Sequence, residues 1–207
     1  MKLVLASASP RRLQLLERVG LTPDLLNPSD VDELPHKRET PRALSIRLAR
    51  EKAERAHEMP LVEALGPNAF VLAADTVVGL GRRILPKAET VDDVLDCLSL
   101  LSGRSHWVYS TVCLIAPGNR VSSRCVESKV RFKRLSREDI DSYVASGEWR
   151  GKAGGYAIQG RAEAFVRMLT GSYSGVMGLP LYETVHLLEG AGYPVFHSWM
   201  TAPQSEI

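Results

Sequence analysis

The 207-residue sequence predicts an α/β fold with a mixed sheet. Apolar, strand-like runs alternate irregularly with amphipathic segments that carry helix-capping residues at their starts. A strict strand–helix–strand repeat, which would predict an all-parallel sheet, is not found. Two long β-rich runs, 106–116 and 121–133, are separated only by a Pro-Gly-Asn turn, which favours an antiparallel hairpin. We therefore expect parallel and antiparallel strands together.

The chain begins with a predicted strand and helix. Residues 2–6 form a short apolar run, and leucines then recur at helical spacing. Ser9 stands at the N-cap position, and Pro10 suits the first helical position, which needs no backbone N–H. Arg11 and Arg12 follow, so unpaired N–H groups, hydroxyls and two guanidiniums meet at the helix start. This pattern predicts an anion site, and the alternative is a capped surface helix with two solvated arginines.

The middle of the chain predicts a helix and a buried strand. Thr40 and Pro41 begin a helix with an alanine-rich stripe. Residues 60–68 are predicted as a loop and residues 70–80 as a buried strand, which turns into a short strand at 84–85.

The remaining elements follow from capping residues and apolar spacing. Thr90 or Asp92 begins a helix, and its inward residues are expected to be Val91, Val94, Leu95, Leu98 and Leu101. Ser136 caps a helix that runs to about residue 146. A glycine-rich segment, a strand and a final helix are predicted at 147–160, 165–169 and 181–189. One domain, 1–207, accounts for the whole chain.

Composition argues against several classes of protein. The net charge of +2 is too small to indicate a nucleic-acid or membrane partner, and no apolar run approaches the ~20 residues of a membrane span. Three widely spaced cysteines predict neither a zinc site nor disulfides. No signal-peptide pattern, Walker A loop, Gly-x-Ser-x-Gly elbow or Gly-x-Gly-x-x-Gly motif occurs. We expect a cytoplasmic protein.

A single carboxylate, Asp75, interrupts the apolar strand predicted at 70–80. Apolar neighbours on both sides indicate burial on both faces, where an unpaired charge is very costly. The carboxylate must therefore be paired, bound to a metal or shifted in pKa. Two interpretations stay open: a general base or metal ligand at the lip of the sheet, or a structural aspartate that bonds a neighbouring backbone group.

Other candidates lie in loops and at the border of a helix. Glu33 ends an acidic loop cluster, which is either solvated or supplies oxygen ligands to magnesium. Lys52 borders the alanine stripe, so its stem can pack while the ammonium enters a cleft, although most helix lysines are only solvated. Lys87 stands in a connection between a strand and a helix. Gln159 either holds a glycine-rich hairpin or offers a donor and an acceptor to a base edge.

Taken in order, several blocks of this sequence strongly resemble the Maf family of nucleotide pyrophosphatases. The blocks are LASASPRR at 5–12, DE at 32–33, LAREKA at 48–53, ADTVV at 74–78, Lys87, LSG at 101–103, KAGGYAIQG at 152–160 and GLPLYET at 178–184. They extend over about residues 3–190, and the ordered set is far more specific than any single block.

The resemblance implies a two-lobed fold with a central cleft, similar to that of inosine triphosphate pyrophosphatases. It also implies hydrolysis of a nucleoside triphosphate to the monophosphate and pyrophosphate with a divalent metal, magnesium or manganese. Asp75 would be the proton acceptor and, with Glu33, a metal ligand. The implied phosphate-binding residues are Ser9, Arg11, Arg12, Lys52 and Lys87. The expected partner is the nucleotide, without nucleic acid or membrane, and a homodimer is left open.

Specificity positions of the resembled family correspond here to Arg11, Thr76 and Gln159. This combination resembles the branch that acts on dTTP and UTP, and it implies housecleaning of nucleotide pools, with modified pyrimidine triphosphates included. The alternatives are a 7-methyl-GTP pyrophosphatase and a nucleotide-binding regulator of cell division. Pro86, Ala88 and Gly175 depart from the family pattern, which affects the stiffness around Lys87 and removes one polar contact.

Overall fold

A computed structural model describes residues 1–201, so residues 202–207 of the predicted domain 1–207 lie outside the described range. The predicted α/β class with a mixed sheet is confirmed. The main sheet contains β1 Lys2–Leu5, β2 Leu25–Leu26, β3 Ala69–Leu80, β4 Arg83–Leu85, β6 Ser105–Ala116, β7 Arg120–Phe132 and β9 Val166–Thr170. A separate ribbon pairs β5 Lys87–Ala88 with β8 Lys152–Ala153.

Eight α-helices and one 3₁₀-helix accompany these strands within residues 1–201. The α-helices are α1 Pro10–Arg18, α2 Pro41–His57, α3 Pro60–Glu63, α4 Val91–Leu101, α5 Arg137–Ser146, α6 Tyr173–Met177, α7 Leu181–Gly190 and α8 His197–Thr201, and the 3₁₀-helix is Arg161–Phe165. Thr90 and Ser136 cap α4 and α5 through reciprocal capping boxes. None of the helices described is both long and apolar enough to cross a bilayer.

The pairing of β3 leaves a gap in the sheet. One edge of β3 pairs with β6 from Val71 to Gly79. The other edge pairs with β1 only over residues 69–72 and with β4 only over residues 78–80. Among the described strands, none pairs with residues 73–77 on that edge. Asp75 lies at the centre of this gap, so the topology itself opens the sheet at the predicted catalytic carboxylate.

The two faces of β3 pack against different parts of the core. Leu72, Ala74 and Val78 belong to the larger cluster on one face, whereas Val71 and Ala73 pack beneath α2 on the other. Because successive side chains of a strand alternate between faces, Asp75 continues the α2 face and Thr76 the opposite face. At the gap, β3 therefore presents a carboxylate on the α2 face of the sheet and a hydroxyl on the opposite face.

Several details of the prediction are corrected. Residues 60–68 are not entirely loop, because Pro60 begins the short helix α3. Val91 and Leu95 do not face inward: they are 47% and 37% exposed, since only the narrower stripe of α4 that contains Val94 and Leu98 meets the core. Lys87 lies in the short strand β5 rather than in a loop.

Candidate active site

The predicted site residues converge on the gap beside β3. One cleft is lined by Ser9, Arg11, Arg12, Lys52, Asp75, Thr76, Lys87 and Gln159, together with Lys152 and the backbone of the glycine-rich segment. Glu33 joins Lys52 and Lys87 around the adjoining cavity under the start of α1. The nine residues singled out from the sequence thus occupy one continuous region, although they come from six separate segments of the chain.

Lys52 connects the two predicted acidic residues. Its ammonium donates to Oδ1 of Asp75 and to Oε1 of Glu33, both at 2.6 Å. Lys87 donates to the other oxygen of Glu33. Lys52 and Asp75 are buried, whereas the Glu33 and Lys87 side chains are partly exposed. The result is an alternating chain of two carboxylates and two ammoniums with no net charge.

The ion pairs determine the ionisation of Glu33. Partial burial by itself would raise the pKa of this carboxyl, but hydrogen bonds and charges from Lys52 and Lys87 outweigh it and lower the pKa to about 2. Glu33 is therefore an acceptor-only carboxylate at neutral pH. It can hold cations, and it cannot serve as a proton donor there.

The start of α1 supplies a second group of donors. Ser9 takes the predicted N-cap position, but its side chain makes no capping hydrogen bond. Arg12 is fixed instead, since Nε donates to the Gly178 carbonyl at 2.9 Å and Nη1 donates to Ser7 Oγ at 3.0 Å. Burial lowers the pKa of Arg12, and the charges of Asp75 and Glu33 oppose that shift. An uncapped helix start beside a buried guanidinium favours a bound anion.

Arg11, unlike Arg12, has no hydrogen-bond partner among the residues that the structure describes. Its Nε is buried and forms no hydrogen bond within the described part of the chain. Burial lowers the pKa of this guanidinium, and the neighbouring charge of Arg12 adds to the effect. A buried donor without a partner is costly. A ligand with acceptor atoms would satisfy it, which agrees with both roles predicted for Arg11.

The other predicted specificity residues line the same cleft. The Thr76 hydroxyl lies 3.5 Å from the Gly178 carbonyl and 3.2 Å from the Ser110 hydroxyl. The Gln159 side chain is half-buried and makes no hydrogen bond to any residue in the range described. Its amide is therefore available to a ligand, and the hairpin does not depend on it.

Two further polar positions at or behind the cleft were not predicted from the sequence. Lys152, in β8, contributes an ammonium to the cleft beside Arg11, and burial together with that neighbour lowers its pKa. Ser110 is buried in β6, and its hydroxyl donates to the Gly175 carbonyl at 2.5 Å and lies 3.2 Å from the Thr76 hydroxyl. Lys152 begins the block at 152–160, where glycines allow the backbone to approach a ligand. A lysine at that place was the sequence signal that could have identified it. Ser110 gave none, because a polar residue in a strand has many structural roles.

The donor set around Asp75 is suited to a divalent cation only in part. Residues 1–201 contain no cluster of three or more His, Cys, Asp or Glu side chains that could hold a metal ion alone. Asp75 and Glu33 already share one cation, the Lys52 ammonium. Magnesium commonly takes one or two protein carboxylates and completes its shell with water and substrate phosphates. The two carboxylates fit that pattern and would need the nucleotide to complete it.

Comparison with known proteins gives a consistent result. The sequence model of a family described as Maf-like protein matches residues 2–191. A dTTP/UTP pyrophosphatase of Mesorhizobium japonicum is 61% identical over 201 residues, which cover 97% of each chain. A dTTP/UTP pyrophosphatase of Rhodopseudomonas palustris has the same identity and coverage. A third relative with that name, from Brucella abortus, is 57% identical over 97% of this chain and 96% of its own.

Two solved structures resemble this chain more distantly. A nucleoside-triphosphatase / dITP/XTP pyrophosphatase from Mycobacterium abscessus is 14% identical, with a TM-score of 0.41 over 92% of this chain and 94% of its own. The Staphylococcus aureus Ham1 protein is 15% identical, with a TM-score of 0.41 over 64% of this chain and 72% of its own. At such TM-scores these two structures support no further conclusion.

Proposed function

The chain belongs to the Maf-like protein family, and from this membership and the chemistry of its cleft we propose that it hydrolyses dTTP and UTP to the monophosphate and pyrophosphate. One observation carries the proposal: a buried carboxylate, Asp75, shares a single cleft with an uncapped helix start and five cationic side chains. Relatives that share 56–61% of their residues with this chain are named dTTP/UTP pyrophosphatases. The cellular role would be the removal of unwanted pyrimidine triphosphates.

Asp75 is the proposed general base. Lys52 holds Oδ1 at 2.6 Å, so the carboxylate is fixed in position and its second oxygen has no protein donor in residues 1–201. That second oxygen can accept a proton from a water molecule that attacks the α-phosphorus. Positioned acid–base groups of this kind contribute roughly 10²–10⁴-fold to a rate.

The cations are proposed to stabilise the charge that develops during hydrolysis. Attack at the α-phosphorus places negative charge on the non-bridging oxygens and on the departing pyrophosphate. Lys52, Lys87 and Arg12, with Ser9, line the cavity that would receive these oxygens. Because the protein already fixes these donors, little reorganisation is needed in the transition state.

A divalent metal, magnesium or manganese, is part of the proposal. Asp75 and Glu33 would hold it together with the phosphates of the substrate, and it would oppose their negative charge. Lys52 lies between these two carboxylates, and the substrate phosphates would offer its ammonium alternative acceptors.

A panel of nucleotides tests the proposal. The full chain is incubated with dTTP, UTP, CTP and 7-methyl-GTP in the presence of magnesium or manganese, and pyrophosphate and monophosphate are measured. We expect cleavage of dTTP and UTP with pyrophosphate, not orthophosphate, as the product. Preferential cleavage of 7-methyl-GTP would favour the alternative pyrophosphatase. Tight binding without cleavage would instead favour a nucleotide-binding regulator.

A further inference from the structure

Four of the five cationic side chains of the cleft fall into two groups, and the fifth, Arg12, is held by hydrogen bonds to Gly178 and Ser7. Lys52 and Lys87 are neutralised by Asp75 and Glu33 at one end. Arg11 and Lys152 lie at the other end, where neither forms an ion pair with a residue in the described range. The charges of Lys52 and Lys87 are thus compensated within the protein, whereas Arg11 and Lys152 keep cationic donors for a ligand.

The β5–β8 ribbon places Lys152 beside the cavity that contains Arg11. Lys152 stands opposite Ala88 in the β5–β8 ribbon and lines both the central cleft and the adjoining cavity that contains Arg11 and Gln159. The ammonium donates to the Arg150 carbonyl at 2.8 Å, which uses one of its three donors. The remaining donors have no acceptor among the residues described and are available within the cleft.

The position of Lys152 favours a base contact over a phosphate contact. The cavity under the start of α1, where Ser9, Lys52 and Lys87 meet, does not include Lys152. Lys152 lies with Gln159 in a second cavity beside the α1 start, which contains neither Lys52 nor Lys87, and the amide of Gln159 has no hydrogen-bond partner within residues 1–201. Both lysines and Lys152 line the central cleft that joins the two cavities. Phosphates held on the Lys52 and Lys87 side would leave the Lys152 and Gln159 side for the nucleobase.

The donors and acceptors of these side chains determine which nucleobases they can distinguish. Amide and hydroxyl groups such as Gln159 and Thr76 contain both donors and acceptors, so they can be turned to match an oxo or an amino substituent. Ammonium and guanidinium groups only donate. Thymine carries an acceptor oxygen at position 4, and uracil has the same substituent, whereas cytosine carries an amino donor there. A residue that only donates can therefore distinguish uracil and thymine from cytosine, whereas an amide, which can be turned, cannot.

We propose that Lys152 is a specificity-determining residue that donates to the exocyclic O4 carbonyl oxygen of 4-oxo pyrimidines and disfavours cytosine. The inference deepens the proposed function and rests on it for the identity of the nucleotide. Its preference arises from two effects: a hydrogen bond gained with uracil or thymine, and a donor–donor contact with cytosine that leaves both groups unpaired.

Binding of the monophosphates UMP and CMP tests the proposal without hydrolysis, so failure of the pyrophosphatase activity would not affect the result. Calorimetric titration of the full chain is expected to show tighter binding of UMP than of CMP. Lys152→Met keeps the length of the side chain and removes its donors. In this variant the ratio of UMP to CMP affinity should fall by about tenfold or more. CMP affinity should be retained, which also shows that the variant is folded.

Two matched variants complete the experiment. Lys152→Arg keeps a donor-only cation and should keep most of the preference for UMP. Lys129→Met changes a lysine that lies over the Trp107 ring, outside the cleft, and should leave the ratio unchanged. The proposal is overturned if the wild-type chain does not prefer UMP or if Lys152→Met keeps the preference. An equal loss of UMP, CMP and inorganic tripolyphosphate binding would also overturn it, because that result would indicate a phosphate contact.

Discussion

The Lys52 ammonium lies 2.6 Å from Oδ1 of Asp75, and the side chains of both residues are at least nine-tenths buried. Lys52 belongs to α2 and Asp75 to β3, so this ion pair joins the helix to the sheet at the gap between β1 and β4. A buried pair of this kind is costly to break, because either partner alone would be a charge without compensation. It orients the proposed base and supports the local fold at the same time.

Removal of the cation should therefore destabilise the protein. Lys52→Met keeps the apolar stem but leaves the buried Asp75 carboxylate without its partner. We expect the free energy of unfolding to fall by about 3–5 kcal/mol. Urea denaturation at pH 7 measures the change.

Lys133→Met is the matched control for that measurement. Lys133 pairs with Asp139 at 2.9 Å, but 40% of its side chain is exposed. Exposed ion pairs contribute about 0–1 kcal/mol, so this variant should lose little stability. Equal losses in the two variants would show that burial of the Lys52–Asp75 pair has no energetic importance.

His106 predicts a pH dependence of stability that is unrelated to the ion pairs. It is fully buried, and its Nε2 lies 2.8 Å from the hydroxyl of Tyr156. Burial lowers the pKa of this histidine to about 4 from 6.5. Below pH 6.5 the unfolded chain binds a proton that the folded chain does not bind until about pH 4. The free energy of unfolding should therefore fall between pH 7 and pH 4, by about 3 kcal/mol.

His106→Gln removes this titration while it keeps a side chain that can bond Tyr156. Chemical denaturation at several pH values should show a smaller loss of stability in the variant than in the wild-type chain between pH 7 and pH 4. Parallel stability curves for the two proteins would mean that His106 is protonated in the folded state over this range.

Gly154 is expected to be intolerant of a side chain. Its φ is +67°, and an added Cβ would lie 2.9 Å from Cγ1 of Val78 in the core. Gly154→Ala should thus incur backbone strain and a packing clash, with a loss of stability of about 2–4 kcal/mol. The clash would also shift the ribbon that carries Lys87 and Lys152, so hydrolysis should slow.

Gly118→Ala separates these two effects. Gly118 has a φ of +75°, but nothing lies within 4 Å of an added Cβ. This variant should lose only the roughly 1–2 kcal/mol of backbone strain, and it should keep its activity. Thermal unfolding together with turnover of UTP compares the two variants. The same loss of stability in both would show that contact with Val78 is unimportant.

The sequence predicted those parts of the fold that local chemistry determines. Ser136 was identified as a helix start, and Thr90 as one of two candidates beside Asp92, because capping residues act within a few positions of the chain. The two-residue strands β2, β5 and β8 were not predicted, since two residues carry no periodicity. Val91 and Leu95 were placed inward wrongly, because apolar spacing identifies a helix but not the width of the face that the core covers.

In the candidate site too, residues with a local sequence signal could be predicted, whereas contacts that depend on tertiary packing could not. Asp75 could be found because a carboxylate in an apolar strand requires an explanation. The link between Lys52 and Glu33 could not be predicted, since it depends on how α2 and an acidic loop meet β3 across 19 residues of sequence. Lys152 was missed for a related reason. Only the three-dimensional placement of the β5–β8 ribbon brings its ammonium beside Arg11 and Gln159.

The central claim, that Asp75 is the general base of a pyrophosphatase, is tested most directly by Asp75→Asn. The measurement is the rate of pyrophosphate release from UTP at saturating substrate and metal. This substitution keeps the size of the side chain and its contact with Lys52 but removes the basic oxygen. We expect kcat to fall at least about 100-fold with nucleotide binding retained. A variant that releases pyrophosphate at close to the wild-type rate would contradict the claim.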